Sequence, residues 1–135
     1  MTHLFDTSAI LAHYLSESGA ERVQALFDDE TNPIGICVVS FLEFDVRLRE
    51  MGLSQAEREG EILRYKTLFD EVILVDEAVC SKAAELKFSS TPRLPNIDAL
   101  IAASAALHGA KLVHRDPHFL GIPPTLLTQE MLPRK

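Results

Sequence analysis

The stretch His3-Leu4-Phe5-Asp6-Thr7-Ser8 decides how this chain is read. Leu4 and Phe5 form a short apolar run, Asp6 ends it, and Ala9-Ile10-Leu11-Ala12-His13-Tyr14-Leu15 follows, rich in helix formers and free of Gly and Pro. A buried strand ending at Asp6 and passing into a helix over 8–15 fits this pattern. The Thr7 or Ser8 hydroxyl would then accept from a free N–H of the first helical turn. In an open parallel sheet, ligands bind at the carboxyl ends of strands, so Asp6 would stand at the active edge. An aspartate in this place is equally suited to a turn. Its meaning depends on what the rest of the chain brings to it.

The chain has 135 residues, enough for one domain with its own core, and a single domain over 1–135 is expected. A hydrophobic fraction of 47% excludes general disorder. The longest apolar runs fall well short of a bilayer span, so no membrane association is expected. Cys37 and Cys80 lie in apolar surroundings without CxxC spacing, which predicts two buried free thiols in a reducing cytosol. No leader-like segment opens the chain, and a cytoplasmic location is expected. Lys plus Arg number 13 against 20 Asp plus Glu, a formal charge of −7. That argues against a passive nucleic-acid binder, whose affinity comes from basic residues on phosphates. It leaves room for an enzyme whose carboxylates recruit a divalent metal to a phosphodiester.

Further along, a helix is expected from Ala20, with Val23, Leu26 and Phe27 on one face, ending in the polar turn 28–33. Ile34 to Val39 reads as a second buried strand leading into Ser40. From there Phe41, Phe44, Leu48 and Met51 recur at helical intervals until Gly52. Glu43 stands three residues after Ser40 in the capping-box pattern, which would direct its carboxylate back to the Ser40 N–H. Ser54 and Glu57 repeat the box and open a helix over 54–69, with Ile62, Leu63, Tyr65, Lys66 and Phe69 inward. Val72 to Val75 predicts a strand, and Asp76 the cap of a helix over 77–89. The Ser/Pro-rich loop 89–96 is the place for a substrate-facing element. Asn96 then caps a helix closed by Gly109, with Asp98 in its first turn. Leu112-Val113 makes another short strand before Asp116, and one more is expected over 125–127. Such alternation predicts an α/β sandwich with a mostly parallel sheet.

Asp6 and Asp116 end two apolar runs, and Glu43 and Asp98 stand early in two helices. In a parallel sheet all four positions share one edge, so the four acids can face a single cleft. Acids so placed repel one another unless a cation sits among them. An oxygen-rich set suits Mg²⁺ or Mn²⁺, and no His or Cys has the spacing of a zinc or copper site. Asp98 alone would be explained by the helix dipole.

The segments Leu4–Leu11, Ser40–Phe44, Pro95–Ala105 and Leu112–Phe119, in this order and spacing, resemble the PIN-domain ribonucleases, and among them the VapC toxins of type II toxin–antitoxin pairs. The resemblance runs over essentially the whole chain. It implies a Rossmann-like three-layer sandwich with about five strands surrounded by helices. It further implies Mg²⁺- or Mn²⁺-dependent endonucleolytic hydrolysis of RNA by metal-activated water, a homodimer, and a cognate small antitoxin. On this resemblance the metal ligands fall on Asp6, Glu43, Asp98 and Asp116, with Ser8 as the accompanying hydroxyl and Thr7 beside it. The substrate would be tRNA or rRNA.

Two departures stand out. His114 occupies a position where the family commonly has a small hydroxyl that orients the acids, and His118 one where a further acid is common. Arg93 and Arg115 are candidates for contacts to RNA phosphates, and His118 for contact to a phosphate or to the metal. His3, His13 and His108 lack ligand partners, and Phe41, Phe44, Phe69 and Phe119 are expected in the core. The other readings are a PIN-like nuclease of RNA maturation or of single-stranded DNA, a degenerate RNA- or protein-binding domain, and a signalling receiver, also a small α/β protein with acidic strand ends.

Overall fold

A parallel sheet is covered by helices on both faces, so its strands must be apolar in both directions. The computed structural model, which describes residues 1–134, follows this rule. Five strands, β1 (His3–Phe5), β2 (Ile34–Cys37), β3 (Glu71–Ile73), β4 (Lys111–His114) and β5 (Gln129–Met131), form one sheet in the order β3-β2-β1-β4-β5. Every neighbouring pair is parallel. Successive strand residues serve opposite layers. Leu4, Cys37 and Leu112 pack with Val79, Leu86 and Ala102, whereas Phe5, Ile36 and Val113 pack with Ile10, Phe44 and Tyr65.

The helices are α1 (Thr7–Tyr14), α2 (Ala20–Asp28), α3 (Val39–Glu50), α4 (Gln55–Lys66), α5 (Glu77–Ser89) and α6 (Asn96–Leu107), with a 3-10 turn over Pro117–Gly121. The first four cover one face, and α5 and α6 cover the other. The chain lays β2 and β3 outward on one side of β1, then crosses to place β4 on the other. The sheet direction therefore reverses between β1 and β4, and ligands bind in the crevice at such a point. The strand order is Rossmann-like. It differs from the 2-1-3-4-5 order of signalling receivers, which removes that reading.

Several local expectations are corrected. The cap of α1 is Asp6, whose carboxylate accepts from the Ser8 N–H, rather than Thr7 or Ser8. Strand β2 stops at Cys37, because Val38 already has helical backbone angles (φ −55°, ψ −30°) and α3 begins at Val39. Ser40 is thus inside the helix and Glu43 is in its second turn, so the box expected at Ser40–Glu43 does not form. The box at Ser54–Glu57 does form. Gly52, with φ +90°, closes α3 in the left-handed conformation that glycine adopts without strain.

In α4 the buried face runs through Arg58, Ile62 and Tyr65, so Leu63 and Lys66 fall outside it, Leu63 being 62% exposed. The Arg58 guanidinium is satisfied by Asp45 at 2.8 Å and the Leu53 carbonyl at 2.9 Å. Cys37 is buried as expected, but Cys80 is exposed, since α5 turns Val79, Ala83 and Leu86 inward. Asn96 lies within α6 after Pro95, and its side-chain oxygen accepts from Lys87 Nζ at 2.6 Å. Residues 124–126 form a turn, Leu127 just after it is buried, and the last strand is the more polar Gln129–Met131 at the sheet edge. Phe41, Phe44, Phe69 and Phe119 are in the core, as expected. No helix among the described residues is long and apolar enough to cross a membrane.

Candidate active site

Asp6 and Asp116 follow the two strands that flank the reversal of the sheet. The Asp6 N–H donates to the Val113 carbonyl at 2.9 Å, which fixes the end of β1 against β4. Its Oδ2 accepts from the Ser8 N–H (3.0 Å) and the Ser8 hydroxyl (2.6 Å), whereas Oδ1 is buried without a hydrogen-bond partner. The Ser8 oxygen also accepts from the Arg115 N–H at 2.8 Å, so one hydroxyl ties Asp6 to the turn that carries Asp116.

Glu43 enters from the α3 layer, and its Oε1 accepts from the Thr7 hydroxyl at 2.6 Å. Asp98, third residue of α6, enters from the opposite layer. Asp116 caps the 3-10 turn through the His118 N–H. The four acids line one cleft of about 270 Å³, together with Ser8 and Arg47. A larger cavity, about 780 Å³, lies between the end of α1 and α2. It contains none of these four acids.

The cluster is electrostatically strained. Burial, above all, pushes Asp6 up to about 7; the Ser8 hydrogen bonds oppose this, and the charges of Asp98 and Glu43 add to it. Asp98 is pushed up to about 6, first by burial and then by Asp116 and Glu43, with His118 working the other way. Burying carboxylates side by side is unfavourable without a positive charge among them. Among the described residues, ligand atoms of Asp98, Asp116 and His118 lie within 4.8 Å of one another, a group that could hold a divalent cation, and Asp6 adds one buried, unpartnered oxygen to the cleft. His118 adds an imidazole on one side, its Nδ1 lying 3.3 Å from Asp116 Oδ1 and 3.5 Å from Asp98 Oδ2.

The structure brings Asp6, Ser8, Glu43, Asp98, Asp116 and His118 together. It does not do so for the two arginines. The Arg115 guanidinium is committed to Glu17 (2.6 Å) and the Ser18 carbonyl (3.0 Å). Arg93 stacks over the exposed Phe88 ring at 4.4 Å.

His114, where the resemblance leads one to expect a small hydroxyl, bonds to the backbone of Asp116. Its ring is fully buried, and Nδ1 accepts the Asp116 N–H at 3.1 Å. The proton therefore sits on Nε2 and is donated to Gln129 Oε1 at 2.8 Å. Burial holds the ring below its ordinary pKa and so in this neutral form. Sequence reasoning missed this wiring, the clamp of Thr7 on Glu43, and Arg47 at the cleft. Arg47 follows Glu43 by four residues, a spacing that puts both on one helix face and that signalled its place.

A PIN-domain family model matches residues 4–123, a span that includes all four acids. The chain belongs to the PIN-domain family. No curated protein matches it in sequence. Among solved structures, this PIN domain is similar to a chain of VapBC2 from Rickettsia felis, bound to a DNA fragment from its promoter. There the identity is 18% and the TM-score 0.75, over 97% of this chain and 98% of the other. It is similar to VapBC-1 from nontypeable Haemophilus influenzae, at 19% identity and a TM-score of 0.73, with 97% and 98% covered. A toxin–antitoxin complex from Klebsiella pneumoniae reaches 25% identity with a TM-score of 0.69, over 90% of this chain and 93% of the other. The expected fold is the fold found.

Proposed function

We propose that this PIN domain is a Mg²⁺- or Mn²⁺-dependent endoribonuclease, the VapC-like toxin of a type II toxin–antitoxin pair. The observation that carries the reading is the meeting of Asp6, Glu43, Asp98 and Asp116 in one cleft at the reversal of the sheet. Likeness to the toxin–antitoxin structures supports the toxin half of it.

Asp6, Asp98 and Asp116 would hold the cation and Glu43 would complete the set. Once bound, such a cation lowers the pKa of water and neutralises charge developing on the phosphate. The chain's own residues prepare this. Ser8 fixes one oxygen of Asp6 and leaves the other for the ligand. Thr7 holds one oxygen of Glu43, so the second can accept from the attacking water. His118, 60% exposed at the rim, donates to a phosphate oxygen. The substrate is a tRNA or rRNA in the cytoplasm. The protein acts as a homodimer and is neutralised by a small cognate antitoxin.

Brief expression followed by mapping of cellular RNA ends tests the reading, with Asp98→Asn expressed in parallel. New internal ends in the wild type and none in the variant are expected, together with relief by the product of a neighbouring small gene. Cleavage without such relief would place the protein in RNA processing, and no cleavage at all would make it a binding domain.

A further inference from the structure

Arg47 stands four residues after Glu43 on α3, one turn and about 6 Å further along the same face. It lines the acid cleft, together with Glu50, and also an adjoining cleft of about 330 Å³ lined by Leu11, Glu17, Arg115, Asp116 and Pro117. Most other guanidiniums are already engaged. Arg22 pairs with Glu130, Arg58 with Asp45, Arg64 with Glu61 and Arg115 with Glu17, while Arg93 covers Phe88. Arg47 makes no ion pair among the described residues. A position in the last turn of α3 does not explain it, since Arg49 shares that turn without lining the cleft.

We propose that Arg47 seats the phosphate next to the scissile one, in the cleft it shares with Pro117, and so threads single-stranded RNA past the acids. The assignment rests on the endoribonuclease reading. A polyanion approaching four carboxylates is repelled unless a cation receives it beside them, and a free guanidinium offers the forked donors that a phosphate takes best. The one-turn offset from Glu43 sets this phosphate apart from the one at the acids. Arg115 borders the same cleft, but Glu17 holds its guanidinium.

The test is binding of a short fluorescent oligouridylate to the full chain by anisotropy, with Ca²⁺ as the cation and a series of salt concentrations. Arg47→Ala is expected to bind roughly tenfold more weakly and to lower the log–log salt slope by about 0.7, one single-strand phosphate. Arg47→Lys keeps the slope and Arg49→Ala changes neither quantity. Mn²⁺ binds Arg47→Ala as it binds the wild type. A wild-type slope in Arg47→Ala, an equal change in Arg49→Ala, or lost Mn²⁺ binding in Arg47→Ala overturns the assignment while leaving the nuclease reading in place. Failure of the wild type to bind the RNA removes both.

Discussion

Replacing Asp6 with Asn should make the metal-free protein more stable above neutral pH, although the substitution strikes the centre of the site. Burial raises the Asp6 carboxyl from 3.8 to about 7. Between those values the folded protein keeps a proton that the unfolded chain has released, so raising the pH through this window removes stability. At about 1.4 kcal/mol per pH unit, the gap from 3.8 to about 7 amounts to about 4 kcal/mol once pH exceeds 7. Rather more than half of that accrues between about pH 5 and pH 8.

Asn cannot ionise and escapes this loss. Its carbonyl oxygen keeps the two Ser8 hydrogen bonds, while its amide takes the place of the unpartnered Oδ1 and costs about 1–3 kcal/mol as an unsatisfied buried donor. The variant should therefore exceed the wild type by about 1–3 kcal/mol near pH 8 in EDTA, and by little or nothing near pH 5. Urea denaturation followed by circular dichroism across this range reads the difference. Saturating Mn²⁺ should narrow or reverse the difference, because the wild type gains more from the ion than the variant does. A stability difference that stays constant from about pH 5 to pH 8 would refute the reasoning, since it would mean that Asp6 is not a destabilising buried charge.

Thr7→Val keeps the shape of the side chain and removes the 2.6 Å hydrogen bond to Glu43. It should slow metal-dependent RNA cleavage roughly tenfold to a hundredfold in a steady-state assay, with the fold retained. His114→Ala removes the acceptor of the Asp116 N–H and a ring 4.9 Å from Phe119; thermal melting should show a loss of about 2–4 kcal/mol, accompanied by weaker Mn²⁺ binding. Arg58→Ala should cost about 2–3 kcal/mol in chemical denaturation, because it strands the Leu53 carbonyl and empties a buried site. Asp45→Ala, which truncates the more exposed partner but leaves a buried guanidinium with only the Leu53 carbonyl, should cost about 1–3 kcal/mol.

The parts of the fold that were legible in the sequence were those where one physical requirement dominates. Leu4-Phe5, Ile34–Cys37 and Leu112-Val113 are apolar on both faces because a central parallel strand is covered twice, and Asp76 and Ser54 cap their helices through local bonds. The edge strand over Gln129–Met131 escaped because an edge carries less apolar pressure, while the more apolar 125–127 spans the end of a turn and the buried Leu127. The acids were legible through topology, since strand ends and the early turns of helices share one edge. Their exact partners were not. Glu43 has a plausible local mate in Ser40, but the helix starts two residues earlier than a box would require, and the carboxylate finds Thr7, 36 residues away in sequence. Arg115 reads as a free cation beside an acid until Glu17, 98 residues distant, takes its guanidinium. Long-range pairing of this kind leaves no periodic trace.

The central claim is that Asp6, Asp98 and Asp116, with Glu43, form one divalent-cation site. Isothermal titration of Mn²⁺ into the wild type and into Asp6→Asn, Asp98→Asn and Asp116→Asn tests it most directly. Saturable binding is expected in the wild type and an affinity at least about tenfold lower in each variant, the loss of one charged ligand being worth about 1.4 kcal/mol or more. Wild-type affinity in all three variants would contradict it.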